Sequence, residues 1–275
     1  MKHSKFFFIC LSLISVLFVA CQEDDDIHPT TNTYLKVAEA FSEGSSFNVA
    51  MYAKDSLFVG YNRIYLKITD KNSGQPVIQA TLGFRPLMDM VTFSHACPWE
   101  NPASSLNLDG YFEGVVLFSM AGTNSWSLTV DISANGKSET VLLPIQKVTA
   151  LIPARKIVVI DSLSAGQGKW TITKYPISLV MPKEWKVGNN PFEVTVHRME
   201  SMMSFPAVTD LTIEIIPEMP SMGHGSPNNV NPVHTANGHY LGSVNFTMTG
   251  EWRINLIIKK GDRTITNKAW FDIAF

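Results

Sequence analysis

Two methionines and a histidine lie close together in a segment rich in proline and glycine, Pro217-Glu218-Met219-Pro220-Ser221-Met222-Gly223-His224-Gly225. Because proline fixes backbone angles and glycine frees them, we expect an exposed, shaped loop after a strand from Leu211 to Ile216. Thioether sulfur selects Cu(I), and imidazole suits copper or zinc. Met219, Met222 and His224 therefore form a candidate ligand set for a soft metal ion, although methionines also fill irregular gaps by packing.

Further side chains downstream could complete such a site. Met248 lies on a later predicted strand and could add a sulfur, although core packing is the default for it. His234 and His239 lie on the intervening segment and could add nitrogen ligands. A zinc site made of His224, His234 and His239 stays open as an alternative to copper.

The chain repeats its own pattern of residues. The first copy contains Gly110-Tyr111-Phe112-Glu113-Gly114, Phe118-Ser119-Met120-Ala121-Gly122 and Trp126, and the second contains Gly238-His239-Tyr240-Leu241-Gly242, Phe246-Thr247-Met248-Thr249-Gly250 and Trp252. Order and spacing both survive, which favours two tandem copies of one domain.

The first copy carries a weaker version of the ligand set. Met88, Met90 and His95 take the places of Met219, Met222 and His224, and Met120 takes the place of Met248. Four residues, Val91 to Ser94, are inserted before His95, so this copy lacks the Met-Gly-His adjacency. We expect Met88, Met90 and Met120 to pack in the core, and keep them as alternative ligands beside His95, with Cys97 as an extra soft ligand.

From about Thr33 onward the hydrophobic period is two, as in strands that are buried on one face. Val, Ile, Thr and aromatic residues alternate with polar ones and are interrupted by Asn-Gly, Ser-Gly and Pro; examples are Ser125–Ile132, Phe192–Val196 and Trp252–Ile257. No long helical stripe competes with this pattern. The sequence predicts an all-β chain of two tandem β-sandwich domains, 33–152 and 153–275, joined through Leu151–Ala154.

The first residues have the features of an export signal. Lys2 and Lys5 precede an apolar run from Phe6 to Ala20, too short to span a bilayer but well sized for a signal peptide over residues 1–20. The run ends in Leu17-Phe18-Val19-Ala20-Cys21, which resembles a bacterial lipobox whose cysteine is lipidated.

The acidic residues after Cys21 resemble the tract that directs some Bacteroidetes-type lipoproteins to the cell surface, and we assign residues 21–32 to an acidic tether. These features predict a lipoprotein anchored to the outer membrane through its N-terminal lipid, either periplasmic or exposed on the surface.

Composition excludes several classes of function. The 275 residues include 22 Lys and Arg against 24 Asp and Glu without a basic run, so nothing favours nucleic-acid binding. The 3 cysteines include no Cys-x-x-Cys pair, and with Cys10 in the signal and Cys21 lipidated, only Cys97 keeps a free thiol. No Gly-x-Ser-x-Gly, His-Glu-x-x-His or phosphate-binding glycine loop is present, so we expect no enzyme.

The segment from Met219 to His224, with Gly238-His239-Tyr240 and Phe246–Trp252, resembles the YtkA-like/FixH-like family of small extracytoplasmic domains. The resemblance implies an immunoglobulin-like β-sandwich and a link to copper handling or respiratory-oxidase assembly. Two hypotheses follow. One is a lipoprotein that binds Cu(I) outside the cytoplasm, either to hold it or to pass it to a protein partner. The other is a non-enzymatic surface module that presents loops to a protein or glycan without metal.

Overall fold

The computed structural model describes residues 33–150, 157–166 and 169–275, and these residues form strands, turns and loops without a helix. The predicted all-β class is confirmed. The signal peptide, Cys21, the tether and the linker Leu151–Ala154 lie outside the described residues, so the predictions made for them stay predictions. Within the described ranges, no helix is long and apolar enough to cross a membrane.

The strands form where the period of two predicts them. In the strand Glu251–Lys260, Trp252, Ile254, Leu256 and Ile258 are all buried, and the residues between them are less buried. Side chains of successive residues point to opposite faces of a sheet, so this alternation gives the strand one apolar face. The apolar face packs into the core, and the other face meets solvent.

Residues 33–150, called here the first half, contain nine strands. They are β1 Leu35–Phe41, β2 Phe47–Ala53, β3 Gly60–Asp70, β4 Thr81–Asp89, β5 Ser94–His95, β6 Trp99–Glu100, β7 Phe112–Phe118, β8 Gly122–Ala134 and β9 Lys137–Val148.

The described residues from 157 to 275, called here the second half, contain nine more. They are β10 Ile157–Gly166, β11 Lys169–Val180, β12 Gly188–Val196, β13 Thr212–Met219, β14 His224–Gly225, β15 Val230–His234, β16 His239–Phe246, β17 Glu251–Lys260 and β18 Arg263–Ala274.

The two halves share one topology. The first has sheets ordered β1-β2-β3-β7-β6 and β5-β4-β8-β9, and the second has β10-β11-β12-β16-β15 and β14-β13-β17-β18. Each strand of the first half thus has a counterpart nine strands later in the chain, at the same place in the matching sheet. Neighbouring strands in these sheets are antiparallel, and each half has its own hydrophobic core with residues from both of its sheets. Each half is therefore built as two sheets packed face to face.

A small apolar cluster joins the halves. Tyr61, Val115 and Leu117 of the first half pack with Val180 of the second, and all four are buried. Residues 33–275 therefore form one contact unit, in which side chains of one half can meet side chains of the other.

Candidate functional site

A methionine and a histidine face each other across a short hairpin in each half. Met88 at the end of β4 pairs with His95 in β5, and Met219 at the end of β13 pairs with His224 in β14. Directly opposed residues of an antiparallel pair place their side chains on the same face of the sheet. Both hairpins therefore bring a thioether and an imidazole together.

A tryptophan from the neighbouring strand completes each arrangement. The His95 ring lies with its centroid 5.6 Å from that of Trp126, and His224 lies 6.2 Å from Trp252. The indole N–H of Trp126 donates to the carbonyl of Met120, and that of Trp252 donates to the carbonyl of Met248, both at 3.0 Å. We call Met88, His95, Met120 and Trp126 the first corner, and Met219, His224, Met248 and Trp252 the second corner.

Glycine makes room for the buried methionine of each corner. A Cβ placed on Gly250 would lie 2.8 Å from Cε of Met219. One on Gly122 would meet Oγ of Ser125 first and would lie 3.2 Å from Cε of Met88. Gly250 also has φ of 132°, which side chains rarely allow. The repeated Phe-x-Met-x-Gly pattern therefore has two roles. The carbonyl of its methionine accepts from the tryptophan, and its glycine leaves space for the buried methionine, Met88 or Met219.

The His95 ring has an unusual environment. The side chain is 8% exposed, and its Nδ1 lies 2.9 Å from the carbonyl of Ala96. A carbonyl only accepts hydrogen bonds, so Nδ1 carries a proton, and in the neutral ring Nε2 presents a lone pair. That Nε2 is buried without a hydrogen-bond partner, and His95 contacts two methionine sulfurs. Buried polar atoms are normally paired, so an unpaired Nε2 beside soft sulfurs makes His95 a candidate ligand for a soft metal ion.

The other soft side chains of the first half differ in burial. Met88 is buried, as we expected from packing, and Met90 is half-buried against the core. Met120 is 43% exposed, so the expectation that it packs in the core is wrong, because it lies beyond the end of β7. Its carbonyl accepts the hydrogen bond from Trp126. Cys97 is fully buried, and burial raises the pKa of its thiol, which disfavours the thiolate that binds metals.

The second corner does not bring its predicted ligands together in the same way. Met219 is the last residue of β13 and is buried, so the predicted loop begins later than expected. Met222, on the turn that Gly223 allows with φ of 57°, is 63% exposed. His224 Nε2 lies 3.0 Å from the hydroxyl of Thr247, so this ring already has a polar partner that the sequence did not suggest.

Met248 is 37% exposed. The expectation of core packing is therefore wrong for Met248, as it is for Met120, because Met248 lies beyond the end of β16. Its carbonyl accepts the hydrogen bond from Trp252.

His239 is held as a cation rather than as a ligand. Its Nδ1 lies 2.6 Å from Oε1 of Glu193, and its Nε2 lies 2.9 Å from Oε1 of Glu100. The hydrogen bonds to Glu100 and Glu193 raise the pKa of His239 to about 9. Both ring nitrogens therefore donate, and neither has a lone pair for a metal ion.

His234 is exposed on β15, with its ring centroid 5.4 Å from that of Tyr240. In the part of the chain that the structure describes, no group of three or more His, Cys, Asp and Glu residues could hold a metal ion. The zinc alternative built on His224, His234 and His239 thus lacks a gathered ligand set.

Comparison with known proteins gives one finding for the second half. The sequence profile of the YtkA-like family matches residues 169–256, which run from the start of β11 into β17 and include the second corner. A comparison with curated proteins finds no match.

Proposed function

Since residues 169–256 form a YtkA-like domain, we propose that the protein is a cell-envelope lipoprotein that binds a soft metal ion, Cu(I), and delivers it to a protein partner. It would be anchored to the outer membrane through lipid on Cys21, and it would bind metal without catalysing a reaction. The family match concerns the second half, whereas the geometry that supports metal binding best lies in the first corner.

The observation that carries the proposal is the unpaired Nε2 of His95. This lone pair is buried, and the ring contacts two methionine sulfurs. A nitrogen with sulfurs close by is the donor set that favours Cu(I), while Mg²⁺ and Ca²⁺ would need oxygen ligands. We therefore assign His95 and Met88 as ligands, with Met90 and Met120 as the additional sulfurs within the same region of the first half.

The second corner offers a weaker set of donors. Met219, Met222, His224 and Met248 remain candidates for a second ion, but Met222 is largely exposed and His224 is hydrogen-bonded to Thr247. A metal ion there would have to replace the hydroxyl partner of the ring. We rank the second corner below the first for that reason.

The test is Cu(I) binding by the mature protein in detergent, measured under reducing conditions against a chromophoric chelator. Removing the ligand in His95→Gln should cost more than the roughly 10- to 100-fold that outer-shell changes cost. Met88→Leu keeps the packing volume and should also weaken binding. His224→Gln is the matched control in the second corner and should keep most of the affinity. Wild-type affinity in both first-corner variants would refute the assignment.

An edge strand supports the alternative of a metal-free interaction module. Val230 and Val233 of β15 are 58% and 66% exposed, and they lie at the open edge of the five-stranded sheet. An exposed apolar edge of this kind can pair with another chain. Partner capture that survives copper removal and is lost in Val233→Lys would favour this alternative over copper delivery.

A further inference from the structure

The segment from His95 to Glu100 carries the candidate metal ligand and is attached to the second half at both ends. Next to His95, the Ala96 N–H donates to the carbonyl of Met202, 2.8 Å away. At the other end, Oε1 of Glu100 accepts from Nε2 of His239 at 2.9 Å. Met202 belongs to the turn between β12 and β13, and His239 begins β16, so two separate parts of the second half hold one six-residue segment.

The hydrogen bond between Glu100 and His239 lies in surroundings that strengthen it. His239 is fixed within its own half, because its Nδ1 donates to Glu193 of β12 at 2.6 Å. Only 15% of the His239 side chain and 24% of the Glu100 side chain are exposed, and the Tyr61 ring makes a T-shaped contact with the imidazole, 6.0 Å between ring centroids. Charge-assisted hydrogen bonds shielded from water are stronger than neutral ones on the surface.

The segment between the two ends is stiff. The carbonyl of Pro98 accepts from the N–H of Leu117 at 2.9 Å, Cys97 is fully buried, and β6 pairs with β7 through Trp99 and Glu100. A displacement at Glu100 therefore cannot be absorbed by a loose loop before it reaches His95, only five residues earlier in the chain.

We propose that the second half regulates the metal affinity of the first corner by holding the His95–Glu100 segment through His239 and the Met202 carbonyl. The inference rests on the proposed function, because it concerns the same site. It gives the YtkA-like half a role that requires no metal ion of its own, and it makes the relative position of the halves a determinant of how tightly His95 binds.

The experiment is a double-mutant cycle on the mature protein with Glu100→Gln, His239→Gln and the double variant. Cu(I) affinity is measured by chelator competition, and hydrogen exchange of the Ala96 amide is followed without metal. Each single variant should weaken Cu(I) binding by about 5-fold or more, the lower end of typical coupling between sites. The double variant should lose no more than either single one, and Ala96 should exchange faster in all three.

Controls separate the possible outcomes. Glu39→Gln removes an exposed carboxylate that pairs with Lys36 within β1, and it should leave both measurements unchanged. Glu100 and His239 come from opposite halves, so agreement between their variants excludes a folding defect in one half. If the wild type binds Cu(I) and both single variants keep its affinity and its Ala96 exchange rate, the proposed regulation is refuted but the proposed function is not. Absence of Cu(I) binding by the wild type overturns the proposed function.

Discussion

His95 and His224 occupy matching positions in the two halves, but their rings have different surroundings. His224 has a hydroxyl partner in Thr247, while Nε2 of His95 is buried without one. The sequence identified both residue types and their spacing, but it favoured His224 because Met222 and Gly223 adjoin it. Burial reverses that preference, and burial could not be predicted because it depends on how deep each hairpin lies against its tryptophan.

The methionines show the same limit. Their positions in the repeat predicted which of them would lie near a histidine, and Met88 and Met219 do so. Met120 and Met248 each come two residues after a phenylalanine, a spacing that favours core packing in a strand, yet their side chains are exposed. The reason is that these residues lie where β7 and β16 have ended, so the alternation of the strands no longer applies.

Gly250→Ala should destabilise the protein by about 2 to 4 kcal/mol. The added Cβ would lie 2.8 Å from Cε of Met219 at a backbone angle that side chains rarely adopt. Gly261→Ala is the matched control, because Gly261 has φ of 55° but nothing within 4 Å of the added atom. It should cost only about 1 kcal/mol of backbone strain. Urea denaturation midpoints of both variants measure the difference, and equal midpoints would contradict the steric contact.

At the scale of elements, each corner depends on three strands. β4 supplies the methionine, β5 the histidine and β8 the tryptophan, with β13, β14 and β17 as the counterparts. The alternating pattern predicted β8 and β17. It ended the strand before Pro217, but β13 continues to Met219. A proline is tolerated where a strand lies at a sheet edge, and β14 covers only Glu218 and Met219.

Trp126→Phe should weaken Cu(I) binding, whereas Trp252→Phe should not. The variant at position 126 removes the indole N–H that donates to the Met120 carbonyl, and it reduces the ring that packs against His95. Each variant should also lose about 1 kcal/mol of stability, the usual contribution of a hydrogen bond. Chelator competition and urea denaturation provide the two measurements. Equal loss of affinity in both variants would indicate that the corners bind metal equally.

At the scale of the whole molecule, two histidines near the junction of the halves have opposite electrostatics. Hydrogen bonds to Glu100 and Glu193 raise the pKa of His239, and burial lowers the pKa of His197 to about 4. Sequence patterns could predict both sandwiches from local alternation. They could not predict this pair of histidines, because the partner Glu100 comes from the other half of the chain.

Stability should be greatest near pH 6.5, as far as these two groups determine it. A raised pKa means that His239 contributes stability below its unfolded value of about 6.5, and the contribution is lost as the pH rises through about 9. A lowered pKa means that His197 contributes above about 6.5, and its contribution is lost as the pH falls toward about 4.

His239→Gln should remove the alkaline loss and lower stability at pH 6.5 by about 2 kcal/mol, the usual size of a hydrogen bond to a charged group. Urea denaturation from pH 5 to about pH 10 measures both limbs. An unchanged alkaline limb in this variant would show that His239 does not gain its proton on folding.

The unequal exposure of the methionines sets the order in which oxidants reach them. Met222 and Met203 are 63% and 54% exposed, whereas Met88 is only 5% exposed. Oxidation to the sulfoxide makes a thioether polar and follows access. A protein exported as proposed would meet peroxide beyond the reach of cytoplasmic reductases. The outer methionines would consume oxidant first, and the buried sulfur of Met88 would be damaged only later.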